Sequence, residues 1–557
     1  MYNEKNTKPL ALIVLLTVFF SYISLENYSY ELTNRESTLS HITRHISEQG
    51  FFENSMLGEQ TQRSPFFAWL SLFFSGGQIN HFSLRLVSVI SLIGIGLISF
   101  FSAKRFGGIK SSWPALVFSM TSVAAVNMST RAEEGLLTAF FMSCAWLSWY
   151  SISRKSKRWF KAWFWGVFFT SLAASVNGPH MYLFFYLPTL FMNRPTDVRK
   201  RLVMLPHLSA VSFNVLIIIA VQYIFTNFAS SRDLAFTYFS TDVTPPQRPD
   251  FPFDEGYFKA SIKFAFNSLS YYLPWTFIAW TGFCEAYRLI EKTSEAGPEI
   301  FRFMRRITCV IFFTFMFYPE TNAYSLLPLI YPLSVMAALH YPIYARRYGK
   351  FINKVVQVLI IFNFISLAVI ATMIYPLLNQ ENTNYQSLHL NTALILIISG
   401  IVISILTFFK MFKRQALWYK IAFALILIYF SVDSARHMRL EEFEYSQKHT
   451  ARLIEQSIKD QSQKVYNFSG LELRPELFYL KNNTQQVIDP LEPSELEDSI
   501  YVIGSESKPV RICTDSVRYK WGAISEPIHI KNKVIKVYKG DVVLIKNGET
   551  KQSNSLP

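Results

Sequence analysis

The chain has 557 residues, half of them hydrophobic and 16% aromatic, with 51 Phe and 29 Tyr. Only 17% are Asp, Glu, Lys or Arg, less than a single soluble domain of this size carries. A net charge of +15 could serve nucleic acid, but its distribution argues against that. Basic clusters at Lys104-Arg105, Arg154 to Lys161, Arg199 to Arg201, Arg302 to Arg306, Arg346-Arg347 and Lys410 to Arg414 are read as short loops on one side of successive apolar runs. Such an asymmetry is the mark of membrane topology.

The first apolar run, Leu10 to Ser24, is followed by no small-residue cleavage site and reads as a span rather than a signal peptide. A polar loop from about Leu25 to Phe82 comes next. Within it, Leu39, Ile42 and Ile46 recur at helical spacing, with His41, Arg44, His45 and Glu48 on the other face. This pattern predicts a helix lying flat at the membrane surface. Glu36 stands at its start, where a helix dipole favours a carboxylate. It is either a stabilising first-turn residue or a group that does chemistry. Arg63-Ser64-Pro65 closes the polar stretch before Phe66 to Leu70. A guanidinium there either anchors the interface beside Trp69 or grips a phosphate through its planar fork. His41 and His45 share the i, i+4 spacing of a zinc pair, but no third ligand is evident.

About thirteen helices of bilayer length are predicted, centred near residues 17, 92, 121, 143, 168, 186, 216, 278, 313, 333, 366, 399 and 425. Asn177-Gly178-Pro179 and Tyr318-Pro319-Glu320 are read as turns splitting long apolar stretches into hairpins. Glu133-Glu134 opens the run Gly135 to Tyr150; charges so near hydrocarbon face a cavity or a partner, and Arg131 is close enough in sequence for a local ion pair. A second outer loop runs from about Asn227 to Asn267. The predicted domains are a transmembrane part, 1–433, and an extracytoplasmic α/β part, 434–557. In the latter, a charged helix from His437 to Lys459 precedes strand-like runs at Lys464–Phe468, Gln486–Ile488, Ile500–Ile503 and Val534–Tyr538, with a helix at Arg474–Lys481. Four cysteines, Cys144, Cys284, Cys309 and Cys513, form no disulfide framework. The fold class is mainly α, polytopic, with that small α/β domain.

Taken in order, Arg35-Glu36, Arg63-Ser64-Pro65, Trp69, Arg85-Leu86, Glu134 and Val176-Asn177-Gly178-Pro179 resemble the motifs of the polyprenyl-phosphate-dependent glycosyltransferases of the membrane GT-C class. The resemblance is strongest to the aminoarabinose transferase and protein mannosyltransferase-like family, which modifies lipid A and related acceptors. It covers about the first 200 residues best. It is weaker at Tyr271 to Trp275, at Thr321 to Pro332 and in the C-terminal stretch Arg474 to Leu480. Where that family has a leading Asp, this chain has Arg35; where it has phosphate-side lysines, this chain has Arg63 and Asn177.

The resemblance implies an inverting enzyme of the inner membrane, with its C-terminal domain outside the cytoplasm. A sugar would pass from a polyprenyl-phosphate donor to a lipid, glycan or protein acceptor on the outer face. Glu36 would activate or orient the acceptor, with Glu134 as a second acidic contact; Arg35, Arg63, Arg131, Asn177 and Tyr324 would bind substrate. A hydroxyl acceptor gains from a carboxylate base; a phosphate acceptor is already ionised. No cofactor is evident, a divalent ion is undetermined, and no nucleic-acid partner is expected. The alternative is a non-catalytic member that binds polyprenyl-linked sugars or scaffolds an envelope complex. A transporter is disfavoured because no internal repeat is found.

Overall fold

The computed structural model describes residues 34–49, 55–56, 59–60, 66–76, 81–153, 158–192, 205–228, 255–283, 297–317, 323–378 and 417–437. It also describes single residues between 394 and 401 and between 451 and 456, and the C-terminal strands. The expected turn at Tyr318 to Glu320, the span near residue 17 and the helix Arg474–Lys481 lie outside the described residues. Two compact units form. One comprises Met1–Ser29, Ile42–Asn54 and Thr61–Met438; the other comprises Tyr30–His41, Ser55–Gln60 and Arg439–Pro557.

The larger unit is helical. Its helices are α2 (Phe66–Ser75), α3 (His81–Gly107), α4 (Ile109–Met120), α5 (Val123–Ser129), α6 (Gly135–Ser151), α7 (Trp159–Asn177), α8 (His180–Phe191), α9 (Leu205–Phe228), α10 (Glu255–Tyr271), α11 (Trp275–Trp280), α12 (Gly297–Phe317), α13 (Ile330–Leu378) and α14 (Leu417–His437). A 3-10 helix, Ala323–Leu329, leads directly into α13. Helix α1 (Asn34–Gln49) is shared between the two units, with the division falling after His41.

Aromatic side chains hold the bundle together. Trp149 near the end of α6 meets Trp163 near the start of α7 at 5.5 Å between ring centres, so these two helices run antiparallel. Trp146 stacks on Tyr331, whose hydroxyl shares a 2.9 Å hydrogen bond with Ser102 of α3. Close approach is set by small residues: a Cβ at Gly94 of α3 would lie 2.5 Å from the Phe140 ring, and one at Gly166 of α7 would lie 2.5 Å from Phe185. Packing of this kind, through small residues and aromatic rings, suits helices that share a non-aqueous interior.

Several expectations change. The span expected around residue 121 is broken there: α4 ends at Met120, Thr121 is its C-cap, and Ser122 caps α5 by accepting the Ala125 N–H at 3.3 Å. Short hydroxyl side chains that bond neighbouring backbone compete with a continuous helix. The spans expected at 333 and 366 are instead one continuous helix of 49 residues, α13. Gly349 costs only about 1 kcal/mol in a helix, and the Arg, Tyr, Lys and Phe around it sustain one. Accordingly Arg346-Arg347, Arg302 to Arg306 and Lys104-Arg105 lie on helices, not in loops. Residues 255–267 of the expected second loop belong to α10.

Helices 83–107 and 325–373 are apolar enough and long enough to cross a bilayer. The second half of α13 exposes Phe351 (69%), Val358 (65%) and Phe362 (65%), with Val355, Ile365, Val369 and Met373 along the same strip. Its opposite side packs Val356 and Ile360 against Ala424 and Leu427 of α14.

In the smaller unit, β1 (Ser55–Met56) and β2 (Glu59–Gln60) pair antiparallel. A seven-stranded mixed sheet contains β3 (Val465–Asn467), β4 (Thr484–Gln486), β5 (Ser499–Ser505), β6 (Cys513–Thr514), β7 (Val517–Ala523), β8 (Ile528–Ile530) and β9 (Lys533–Leu544). The order is β4-β3-β5-β9-β7-β6, with β8 paired to β9. The pairs β3–β4 and β3–β5 are parallel and the remainder antiparallel. The strand expected at Gln486–Ile488 lies two residues earlier, and β7 was not anticipated.

Candidate active site

Glu36 lies in the first turn of α1 and is 1% exposed. Its environment corrects the surface-helix reading. Residues 36–43 are all buried, so neither the polar nor the apolar face of this stretch is open to solvent. Burial of polar groups is tolerated only when they are satisfied. Ser40 Oγ donates to the Glu36 carbonyl at 2.6 Å, and none of Glu36, Ser37, Thr38, His41 and Thr43 is without a partner. The backbone of Arg35 belongs to the same first turn. Arg63 lies outside the described residues.

In the larger unit, the segment between α5 and α6 carries the acidic pair. Arg131 and Glu133 form an ion pair at 3.8 Å, with Glu133 the more buried partner. Ser88 of α3 donates to the Glu133 carbonyl at 3.3 Å. Arg85, one turn before Ser88 on the same face of α3, is 6% exposed. Glu134 is half-buried and is the N-cap of α6, but its side chain makes no cap hydrogen bond; its carbonyl accepts from the Thr138 N–H at 3.0 Å and hydroxyl at 3.1 Å. Sequence alone pointed to Glu134 of the pair. Glu133 and Arg85 are the more buried charges, and the signal for them was a charge inside an apolar run.

Chain direction brings further residues to this end of the bundle. Because α7 returns antiparallel to α6, Asn177 at its C-terminus comes back to the end from which α6 starts. The α7–α8 turn is closed by Gly178, whose N–H donates to the Ala174 carbonyl at 2.8 Å and whose φ of 100° is a left-handed value that favours glycine. Helix α12 places Phe303 against Trp149 and Tyr150, and Phe315 against His180 and Phe184. It therefore rises to this same end, where the 3-10 helix bearing Tyr324 follows.

The break between α4 and α5 is tied to residues 272–275. The Val123 N–H donates to the Leu273 carbonyl at 3.3 Å, and the Trp275 indole N–H donates to Thr121 Oγ1 at 3.0 Å. Phe118 stacks on Trp275 at 3.8 Å. The Tyr272 hydroxyl donates to the Leu326 carbonyl in the 3-10 helix. Residues 272–274, which include the cis Leu273–Pro274 bond, thus tie α5 and the 3-10 helix to one support. Non-helical backbone among apolar helices is tolerated when it is buried and its polar groups are bonded in this way. Among the described residues no group of three His, Cys, Asp or Glu side chains is arranged to hold a metal.

No family model matches the sequence, and no curated protein matches it. Solved structures do match its fold. The crystal structure of ArnT from Cupriavidus metallidurans bound to undecaprenyl phosphate is 14% identical, with a TM-score of 0.68 over 96% of this chain and 98% of that one. The apo state of the same protein gives 0.68 at 13% identity over 95% and 98%. The resemblance to the GT-C class first read in the N-terminal motifs is therefore one of fold along almost the whole chain, and the fold is that of ArnT.

Proposed function

We propose that the chain is a membrane glycosyltransferase of the GT-C type that uses a polyprenyl-phosphate-linked sugar. The observation that carries this reading is the match to an ArnT structure bound to undecaprenyl phosphate, over 96% of the chain. The apolar strip on α13 supports the membrane setting, since a soluble monomer rarely exposes so continuous a patch and hydrocarbon accepts it without cost.

On this reading the acceptor oxygen attacks the anomeric carbon. The bond from that carbon to the phosphate oxygen breaks, and polyprenyl phosphate leaves with the electron pair. Where the acceptor is a hydroxyl, its proton passes to the Glu36 carboxylate; an acceptor phosphate needs no base. Arg35 and Arg63 bind phosphate oxygens. Arg131, Glu134, Asn177 and Tyr324 contact substrate, with Glu133 holding Arg131 in place. Residues 434–557 form an extracytoplasmic domain, and the reaction takes place on that side.

The test is transfer from a radiolabelled undecaprenyl-phosphate sugar in proteoliposomes carrying the full chain, alongside mass spectrometry of envelope lipids and glycans from cells lacking it. Consumption of the donor and a sugar missing from the envelope support the reading. A donor left intact and an unchanged envelope favour a non-catalytic, lipid-sugar-binding role.

A further inference from the structure

Helix α13 carries four charged residues in its 49, and all four are cations: Arg346, Arg347, Lys350 and Lys354. All are exposed. At 3.6 residues per turn their Cα positions fall within an arc of about 100°. The outward apolar strip of Phe351, Val355, Val358 and Phe362 begins beside that arc and continues towards the C-terminus. The Arg347 guanidinium lies over the Tyr348 ring at 5.5 Å, an arrangement of cation and aromatic common at the headgroup level of a bilayer. Positive charge therefore meets hydrocarbon-compatible surface along one face, in the order in which a phospholipid presents phosphate and then acyl chain.

We infer that Arg346, Arg347, Lys350 and Lys354 form a docking surface for anionic phospholipids, with the acyl chains lying along Phe351 to Phe362. Topology alone requires positive charge on one side of the membrane, but it does not require four cations on one arc adjoining a lipid-facing strip. The inference rests on exposure and charge and is independent of the catalytic reading.

The probe is phosphatidylglycerol against phosphatidylcholine, presented to the full chain in detergent micelles and read by native mass spectrometry. Wild type should retain phosphatidylglycerol several-fold over phosphatidylcholine. A single engaged cation contributes up to roughly fivefold in affinity for anionic lipid, enough for a preference of that size. The variant R346Q/R347Q/K350Q/K354Q should therefore lose the preference, and salt at about 0.5 M should weaken it in wild type by screening. R346K/R347K keeps the charge and should keep the preference, which separates loss of the site from loss of the fold. Replacing Lys259 and Lys263 of α10 with Gln should leave it unchanged. Equal retention of the two lipids by wild type, or an undiminished preference in the four-residue Gln variant, overturns the inference.

Discussion

Gly166 offers a direct test of how α7 and α8 are joined. In Gly166→Ala the new methyl would sit 2.5 Å from Phe185 Cζ, 3.0 Å from its Cε2 and 3.3 Å from Trp149 Cβ, where carbon atoms prefer about 3.5–4.0 Å. Phe185 cannot easily swing away: it is fully buried and its ring meets the face of Trp163 edge-on. Replacing glycine by alanine inside a helix gains about 1 kcal/mol, whereas overpacking a filled interior costs about 1–3 kcal/mol. Two contacts this short place the cost in the upper part of that range, leaving a net loss of about 1–2 kcal/mol. Reversible unfolding in mixed micelles should show the folded-to-unfolded ratio falling by a factor of about 5–30. Phe185→Leu removes the ring tip that the methyl would strike, so the double variant should be more stable than the sum of the two single losses by about 1 kcal/mol. A Gly166→Ala protein as stable as the parent, or additivity within about 0.5 kcal/mol, would refute the packing argument.

Tyr272→Phe removes the hydrogen bond to Leu326 and should cost about 0.5–1.5 kcal/mol, measured by thermal unfolding in detergent; Trp275→Phe, which keeps a ring against Phe118 but loses the bond to Thr121, should cost a similar amount. Gly178→Ala forces a side chain into a left-handed backbone conformation and should cost about 1–3 kcal/mol in the same assay; an unchanged midpoint would mean that the turn is not held as described. If Glu36 takes a proton from a hydroxyl acceptor, Glu36→Gln should lower transfer from the radiolabelled donor by about 10²–10⁴, while a phosphate acceptor predicts a much smaller loss. Glu133→Gln should reduce transfer more than Glu134→Gln, because Glu133 is the buried partner of Arg131; the reverse order would place Glu134 at the centre of the acidic pair.

Much of the helical architecture was legible in the sequence because hydrophobic runs of bilayer length leave few alternatives. The turn at Asn177-Gly178-Pro179 was equally plain, since glycine and proline both punctuate there. What the sequence concealed has a common physical origin. Thr121-Ser122 break a helix through side-chain bonds to nearby backbone and through a partner, Leu273, far along the chain; neither residue is a helix breaker by propensity alone. The continuity of α13 across Arg346 to Lys354 is hidden for the opposite reason: a charged cluster between apolar runs reads as punctuation, although Arg and Lys are good helix formers. The amphipathic pattern of α1 correctly predicted a helix but not its surroundings, since periodicity reports which faces differ and not what covers them. The choice between Glu133 and Glu134 depended on a hydrogen bond from Ser88, a contact between residues 45 positions apart.

On the proposed role of Glu36, the enclosure of α1 bears on the order of events during turnover. Eight consecutive buried residues, 36–43, make more than two turns of helix at 3.6 residues each, so no direction around the axis is left open. If Glu36 has the role proposed for it, a substrate group must reach its carboxylate along the axis, past the N-terminal end at Asn34, or sideways after α1 has moved. The axial route lets entry be fast and places selection at the mouth of that path. The sideways route makes displacement of α1 a gate, and such segment motions occur on the microsecond-to-millisecond scale, so release of product would share the rate of that opening.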